Sequence, residues 1–124
     1  MIRRTLSSVC LIVFWSCLFA FDGEGADVRY VSGVEDLPLM PGLTEVGDFS
    51  VTFDTPAGRL VEVEAMGVLG EGAVEAFYAD TLPALGWIGV GPGAFVREGE
   101  YLHIEFNRAG ELLTVRFSIS PRAP

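Results

Sequence analysis

His103 and Glu105 alternate along one stretch of the chain, and Glu62 and Glu64 alternate along another. An imidazole beside carboxylates is a cation-binding donor set: oxygen-rich sites suit hard cations, and an added imidazole suits a transition metal. The same carboxylates offer acid and base work of the glycoside-hydrolase kind, which needs a cleft and two unlike environments. A spacing of two, however, is that of any strand face turned to water. Tyr101, Asn107, Thr114, Arg116 and Ser118 fall on matching alternate positions. The expectation is therefore a polar, partner-facing surface that includes Glu62, Glu64, His103, Glu105 and Arg116, with no catalytic residue, metal or cofactor assigned.

Other chemistries are removed by what the chain lacks. No nucleophile elbow, phosphate loop or dinucleotide fingerprint is present. The glycine-rich string Gly86 to Gly93 (GWIGVGPG) follows a helical pattern rather than a strand and has no lysine, so it reads as a loop. There is no lysine anywhere, which excludes Schiff-base chemistry. The net charge is −9, and without residues 1–20 six basic residues face seventeen acidic ones, a net charge of −11. Such a chain repels nucleic acid and anionic membrane surfaces and favours cationic partners.

The elements that must position these residues are legible from periodicity. Val74, Phe77, Tyr78, Leu82 and Leu85 gather on one side of a helix within Gly70 to Trp87 (GEGAVEAFYADTLPALGW). Pro83 predicts a kink, or an end near Leu82 followed by a separate turn, because it has no N–H for the carbonyl of Ala79. Phe49, Val51 and Phe53 alternate with Ser50, Thr52 and Asp54 as in a half-buried strand whose apolar face meets the core, and Val61, Val63 and Ala65 with Glu62, Glu64 and Met66, giving a hairpin across Thr55-Pro56-Ala57-Gly58. Val28 to Val31 suits a short strand, and Trp87 opens another. Ala94 to Arg97, Tyr101 to Asn107 and Leu112 to Ile119 read as a meander with short hairpin loops, in which Leu102, Ile104 and Phe106 face the core with Leu113, Val115, Phe117 and Ile119. The fold class is α+β: one amphipathic helix packed on one face of an antiparallel sheet of about five strands, ββα and then a β-meander.

Between the amino terminus and the first hairpin, Gly33 to Gly42 (GVEDLPLMPG) reads as an extended strap. Pro38 and Pro41 bias Leu37 and Met40 away from helix, and Pro41-Gly42 suits the centre of a type II turn. Leu37, Leu39 and Met40 are its apolar anchors, either packed along the domain edge or presented to a partner.

Residues 1–26 read as a secretion signal or amino-terminal anchor followed by a short tether, and residues 27–124 as a single α+β domain. Arg3 and Arg4 precede the uncharged run Val9 to Phe21, whose core has the length of a signal h-region, about 7 to 15 residues. Extension of the run back to Leu6 leaves an uncleaved anchor open. Membrane association is then only through that segment, uncleaved or lipidated at Cys17. Both cysteines, Cys10 and Cys17, lie inside it, so the exported part has no disulfide and no thiol chemistry.

Phe77-Tyr78, three residues, Leu82, three residues and Gly86-Trp87, preceded by the strap Leu39-Met40-Pro41-Gly42, resembles a class of small exported or lipid-anchored bacterial proteins of unknown function. The likeness spans about Leu37 to Pro121. It implies an envelope location and the ββα plus meander fold, and it brings no catalytic residues. Three functions are expected in order: a non-catalytic periplasmic or envelope domain that binds another protein, a small carrier or sensor of an apolar ligand held between helix and sheet, and a carboxylate-dependent hydrolase.

Overall fold

The computed structural model describes residues 28–47 and 50–122. The expected signal or anchor, its cysteines, the tether and Phe49 lie outside them. Within them, seven strands form one antiparallel sheet: β1 (Thr44–Glu45), β2 (Val51–Thr55), β3 (Gly58–Gly67), β4 (Ile88–Gly91), β5 (Ala94–Arg97), β6 (Glu100–Ala109) and β7 (Leu112–Pro121). The order across the sheet is β1-β3-β7-β6-β5-β4, with β2 also on the outer edge of β3. The sheet thus exceeds the expected five strands. One of the additions, β1, is two residues long and has no alternation to read.

Helix α1 (Glu71–Thr81) is followed by a separate 3-10 turn, Leu82–Leu85, with Pro83 inside it and Gly86 closing it at φ 89°. Of the two outcomes that proline allows, the helix takes the clean end rather than the kink. Val74, Tyr78 and Leu82 are buried and Phe77 packs against the core, whereas Leu85, beyond the break, turns outward. Glu71 sits in the first turn, where the helix dipole favours an acid.

The core lies between the sheet and two covers, not one. The helix and the turn after it supply Val74, Tyr78 and Leu82, and the strap with its two flanks supplies Val31, Val34, Leu37, Leu39 and Leu43. Against both pack Val61, Val63 and Ala65 of β3, Leu102 and Ile104 of β6, and Leu113, Val115, Phe117 and Ile119 of β7. Trp87, buried at the helix-to-sheet corner, completes the cluster. The alternation read for β3, β6 and β7 thus assigns their inward residues correctly.

Two expectations about faces are corrected. Leu37 and Leu39 are buried and Met40 is half-buried, so these anchors serve the core and not a partner. The reason is that the sheet is wider than one helix, and the strap fills the remainder. Val51 and Phe53 are exposed, because the register Val51↔Glu62 and Phe53↔Leu60 places them on the face away from the helix. Val28 to Val31 forms no strand, only a single bridge from Tyr30 to Pro38.

The strap is fixed by polar contacts as well as apolar ones. Met40 O accepts from Leu43 N at 3.1 Å across the Pro41-Gly42 turn, with Gly42 at φ 97° as a type II turn requires. Arg59 binds Glu100 with two nitrogens, Nε at 2.7 Å and Nη2 at 3.0 Å, and gives Nη1 to Gly33 O. That fork joins β3, β6 and the strap, and the hydrogen bond to Glu100 raises the pKa of the guanidinium. Arg97 of β5 holds Asp36 of the strap, donates to Leu85 O at 3.0 Å, and lies over the Trp87 ring at 4.3 Å.

Candidate functional site

Helix and strap cover one face of the sheet and leave the other open. Register places the open-face residues in rows across the strands. One row runs Val51, Glu62, Ser118, His103 and Ala94. The next runs Glu64, Arg116 and Glu105, and beyond it lie Met66, Thr114 and Asn107. The two hairpins, whose relative register the sequence leaves open, are therefore joined through β7, and Glu62, Glu64, His103, Glu105 and Arg116 do share one face.

Arg116 is the centre of the ionic part. Its Nη2 donates to Glu64 Oε1 at 2.8 Å and its Nε to the same oxygen at 3.2 Å, which raises the pKa of the guanidinium. His103 Nδ1 lies 3.5 Å from Glu105 Oε1 on its own strand. Glu64, Met66, Glu105, Asn107, Thr114 and Arg116 surround a shallow polar hollow of about 640 Å³. Three carboxylates face one guanidinium here, so the region is acidic. Among the described residues no three histidine, aspartate or glutamate side chains are grouped to hold a metal ion. Glu62 and Glu105 are exposed and Glu64 is half-buried, which gives none of them an enclosed cleft.

The other end of the same face is apolar. Ile88 pairs with Val96, Val96 with Tyr101, and Tyr101 with Ser120. Leu60 precedes Val61, the partner of Ile119, and so points to the open face level with Ser120, with Phe53 beside it. Ile88, Val90, Phe53, Val51, Leu60 and Tyr101 are all exposed, Ile88 by 65 % and Phe53 by 61 %. Ser120 is the small polar interruption in a band that otherwise runs from one sheet edge to the other. The open face is thus two-toned, with an apolar band beside an acidic patch.

The apolar band is absent from the sequence reading, which places Val51 and Phe53 in the core. Ile88-Gly89-Val90-Gly91 carries one usable signal: its large residues alternate with glycine, so the two faces of that strand differ sharply in bulk. Trp87 itself is buried, a core corner as its position after the helix implies, and its Nε1 finds no partner among the described residues. No described helix is long and apolar enough to cross a membrane. Comparison with known proteins returns no match to this chain from family models, curated proteins or solved structures.

Proposed function

We propose that this chain is an exported, non-catalytic envelope or periplasmic domain that binds another protein through the open face of its sheet. The observation that carries the reading is the exposed apolar band formed by Phe53, Leu60, Tyr101 and Ile88 on the face that neither helix nor strap covers. Contiguous exposed apolar surface rimmed by polar groups is the usual mark of an interaction site. An aromatic-rich centre with charged groups at its margin is the usual anatomy of an interface. The acidic patch of Glu62, Glu64 and Glu105 sets the chemistry of the partner, a segment with an apolar side and basic residues at one flank. Export rests on Arg3, Arg4 and the apolar run that follows them.

Photo-crosslinking in intact cells tests this reading. A crosslinking residue at position 101 is expected to trap a discrete adduct in the extracytoplasmic fraction, whereas one at exposed Ala76 on the helix is not. The adduct is expected to disappear in a Phe53→Asp, Ile88→Asp double variant that melts like the parent. Adducts of equal yield from both positions, or persistence in the double variant, would refute the open face as the binding surface.

A further inference from the structure

The opposite side of the molecule holds a separate space. The Tyr78 hydroxyl ties helix α1 to the strap, and on its other flank a space separates the helix from β4, β5 and β6. A groove of about 370 Å³ remains there, walled by Val74 and Tyr78 and floored by Phe95, Ile104 and Phe106. Ligand pockets begin at roughly 300 Å³, so the space suits a small molecule.

Glycine keeps this groove open. At Gly93 the backbone demands it, since φ is 63° and a Cβ would meet Ile104 O at 2.4 Å. At Gly89 the backbone does not: its φ lies outside the left-handed range, and the nearest atom to an added Cβ is Phe95 Cε1 at 3.8 Å, an ordinary contact. Gly89 pairs with Phe95 and borders the groove, so any side chain there would occupy it. Gly89 also borders the register shift between Gly89 and Gly91, and a strand glycine marks either such a bulge or a place where something else approaches closely.

The polarity of the lining selects the occupant. Among the described residues Glu75 is the one charged residue bordering the groove, and neither arginine nor histidine joins it. The Tyr78 hydroxyl is already engaged by Pro38 O and Met40 N, so it offers nothing to an anionic ligand. A carboxylate or phosphate head would meet Glu75 without a donor to offset it. A cationic head would meet an opposite charge there. We propose that the groove between α1 and β4–β6 binds a small amine-bearing amphiphile, with its apolar body over Phe95, Ile104 and Phe106 and its ammonium at Glu75.

Three matched probes test it on the full chain: 4-phenylbutylamine, 4-phenylbutanol and 4-phenylbutanoate, each titrated while backbone amide resonances are followed. The amine is expected to shift Gly89, Phe95 and Ala79, and to bind up to about fivefold more tightly than the alcohol, the upper end for an exposed ion pair. The carboxylate is expected to bind more weakly than either. Glu75→Gln is expected to level amine and alcohol. Gly89→Leu, and independently Ala79→Leu from the exposed helix side, are expected to abolish binding while the thermal melt stays cooperative. Equal affinities for the three probes, shifts confined to the open face, or no shift at millimolar amine would overturn the proposal. Gly89→Leu leaves Phe53, Leu60 and Tyr101 untouched, so open-face crosslinking and groove binding are separable in one variant.

Discussion

The Tyr78 hydroxyl donates to Pro38 O at 2.9 Å, joining the buried flank of the helix to the strap, and the same oxygen accepts from Met40 N at 3.1 Å. One side chain therefore satisfies two backbone groups at and just beyond the single bridge from Tyr30 to Pro38. Its ring meets Phe117 edge-on at 5.4 Å and Phe77 at 4.9 Å, so packing and hydrogen bonding fix the same residue. Tyr78→Phe keeps the ring and strands both backbone groups, and is expected to cost about 1 to 3 kcal/mol in chemical denaturation. An unchanged midpoint would show that this hydroxyl does not help to hold the strap.

The same burial makes the fold sensitive to alkali. Desolvation pushes the Tyr78 phenol up to about 12 from 10.0, against a smaller opposing effect of the Met40 N–H. Between those values the folded chain keeps a proton that the unfolded chain releases, so stability falls as pH rises. The contribution is complete below pH 10 and is lost through pH 12, a loss of roughly 2 to 3 kcal/mol from this group. Urea unfolding at pH 9 and pH 11 is expected to show about half of that drop in the parent, since pH 11 lies midway between the two values, and a clearly smaller one in Tyr78→Phe.

At the acid end the sensitive contact is Asp36 with Arg97. The hydrogen bond from Arg97 holds the Asp36 carboxyl below its ordinary 3.8, although partial burial opposes it. A depressed carboxyl stabilises the fold above its unfolded pKa, and that contribution is lost as pH falls through the lower folded value. Asp36→Asn is expected to flatten the stability profile below pH 4 while leaving the alkaline limb unchanged. Arg97→Lys is expected to lower stability at every pH, because a lysine cannot serve Asp36, Leu85 O and the Trp87 face together.

How far the sequence discloses this arrangement depends on whether each signal is local. Pro83 and Gly86 act within a single turn, and the helix ends where they require. The inward residues of β3, β6 and β7 follow from alternation because long strands in the sheet centre repeat it many times. Alternation alone does not say which side is the core, since a one-residue slip exchanges the faces. At the edge strand β2 that ambiguity decides the site: Val51 and Phe53 alternate as core residues do, yet the register with β3 turns them outward. The polar half of the open face is readable from His103, Glu105, Glu62 and Glu64, whereas the apolar half arises only when β2 and β4 are placed. The groove depends on how far apart helix and hairpin stand, which no periodicity records.

Glycine requirements separate the backbone of β4–β5 from its cavity. Gly93→Ala is expected to destabilise by at least about 2 kcal/mol, since it combines a left-handed backbone with an overlap against Ile104 O. Gly89→Ala is expected to change stability by less than about 1 kcal/mol, because its Cβ meets only the Phe95 ring at contact distance. Paired thermal melts of the two variants check this. Equal losses would show that Gly89 is held by the backbone and not kept small by the groove.

The strap and the edge strand exchange the roles that their composition suggests, and truncation measures the exchange. Leu37 is fully buried, so Leu37→Ala leaves a cavity between strap and sheet and is expected to cost about 2 to 5 kcal/mol. Phe53, the larger side chain, is 61 % exposed on an edge strand, so Phe53→Ala is expected to cost less than about 1 kcal/mol. The order of the two effects is therefore the reverse of the order of side-chain size. Denaturation curves of both variants decide the point together with open-face crosslinking: Leu37→Ala is expected to lower the midpoint and leave the adduct of the folded protein intact, and Phe53→Ala to do the opposite. A costly Phe53→Ala would place β2 against a cover on the open face. In that case the apolar band would belong to the core and the binding surface would lie elsewhere.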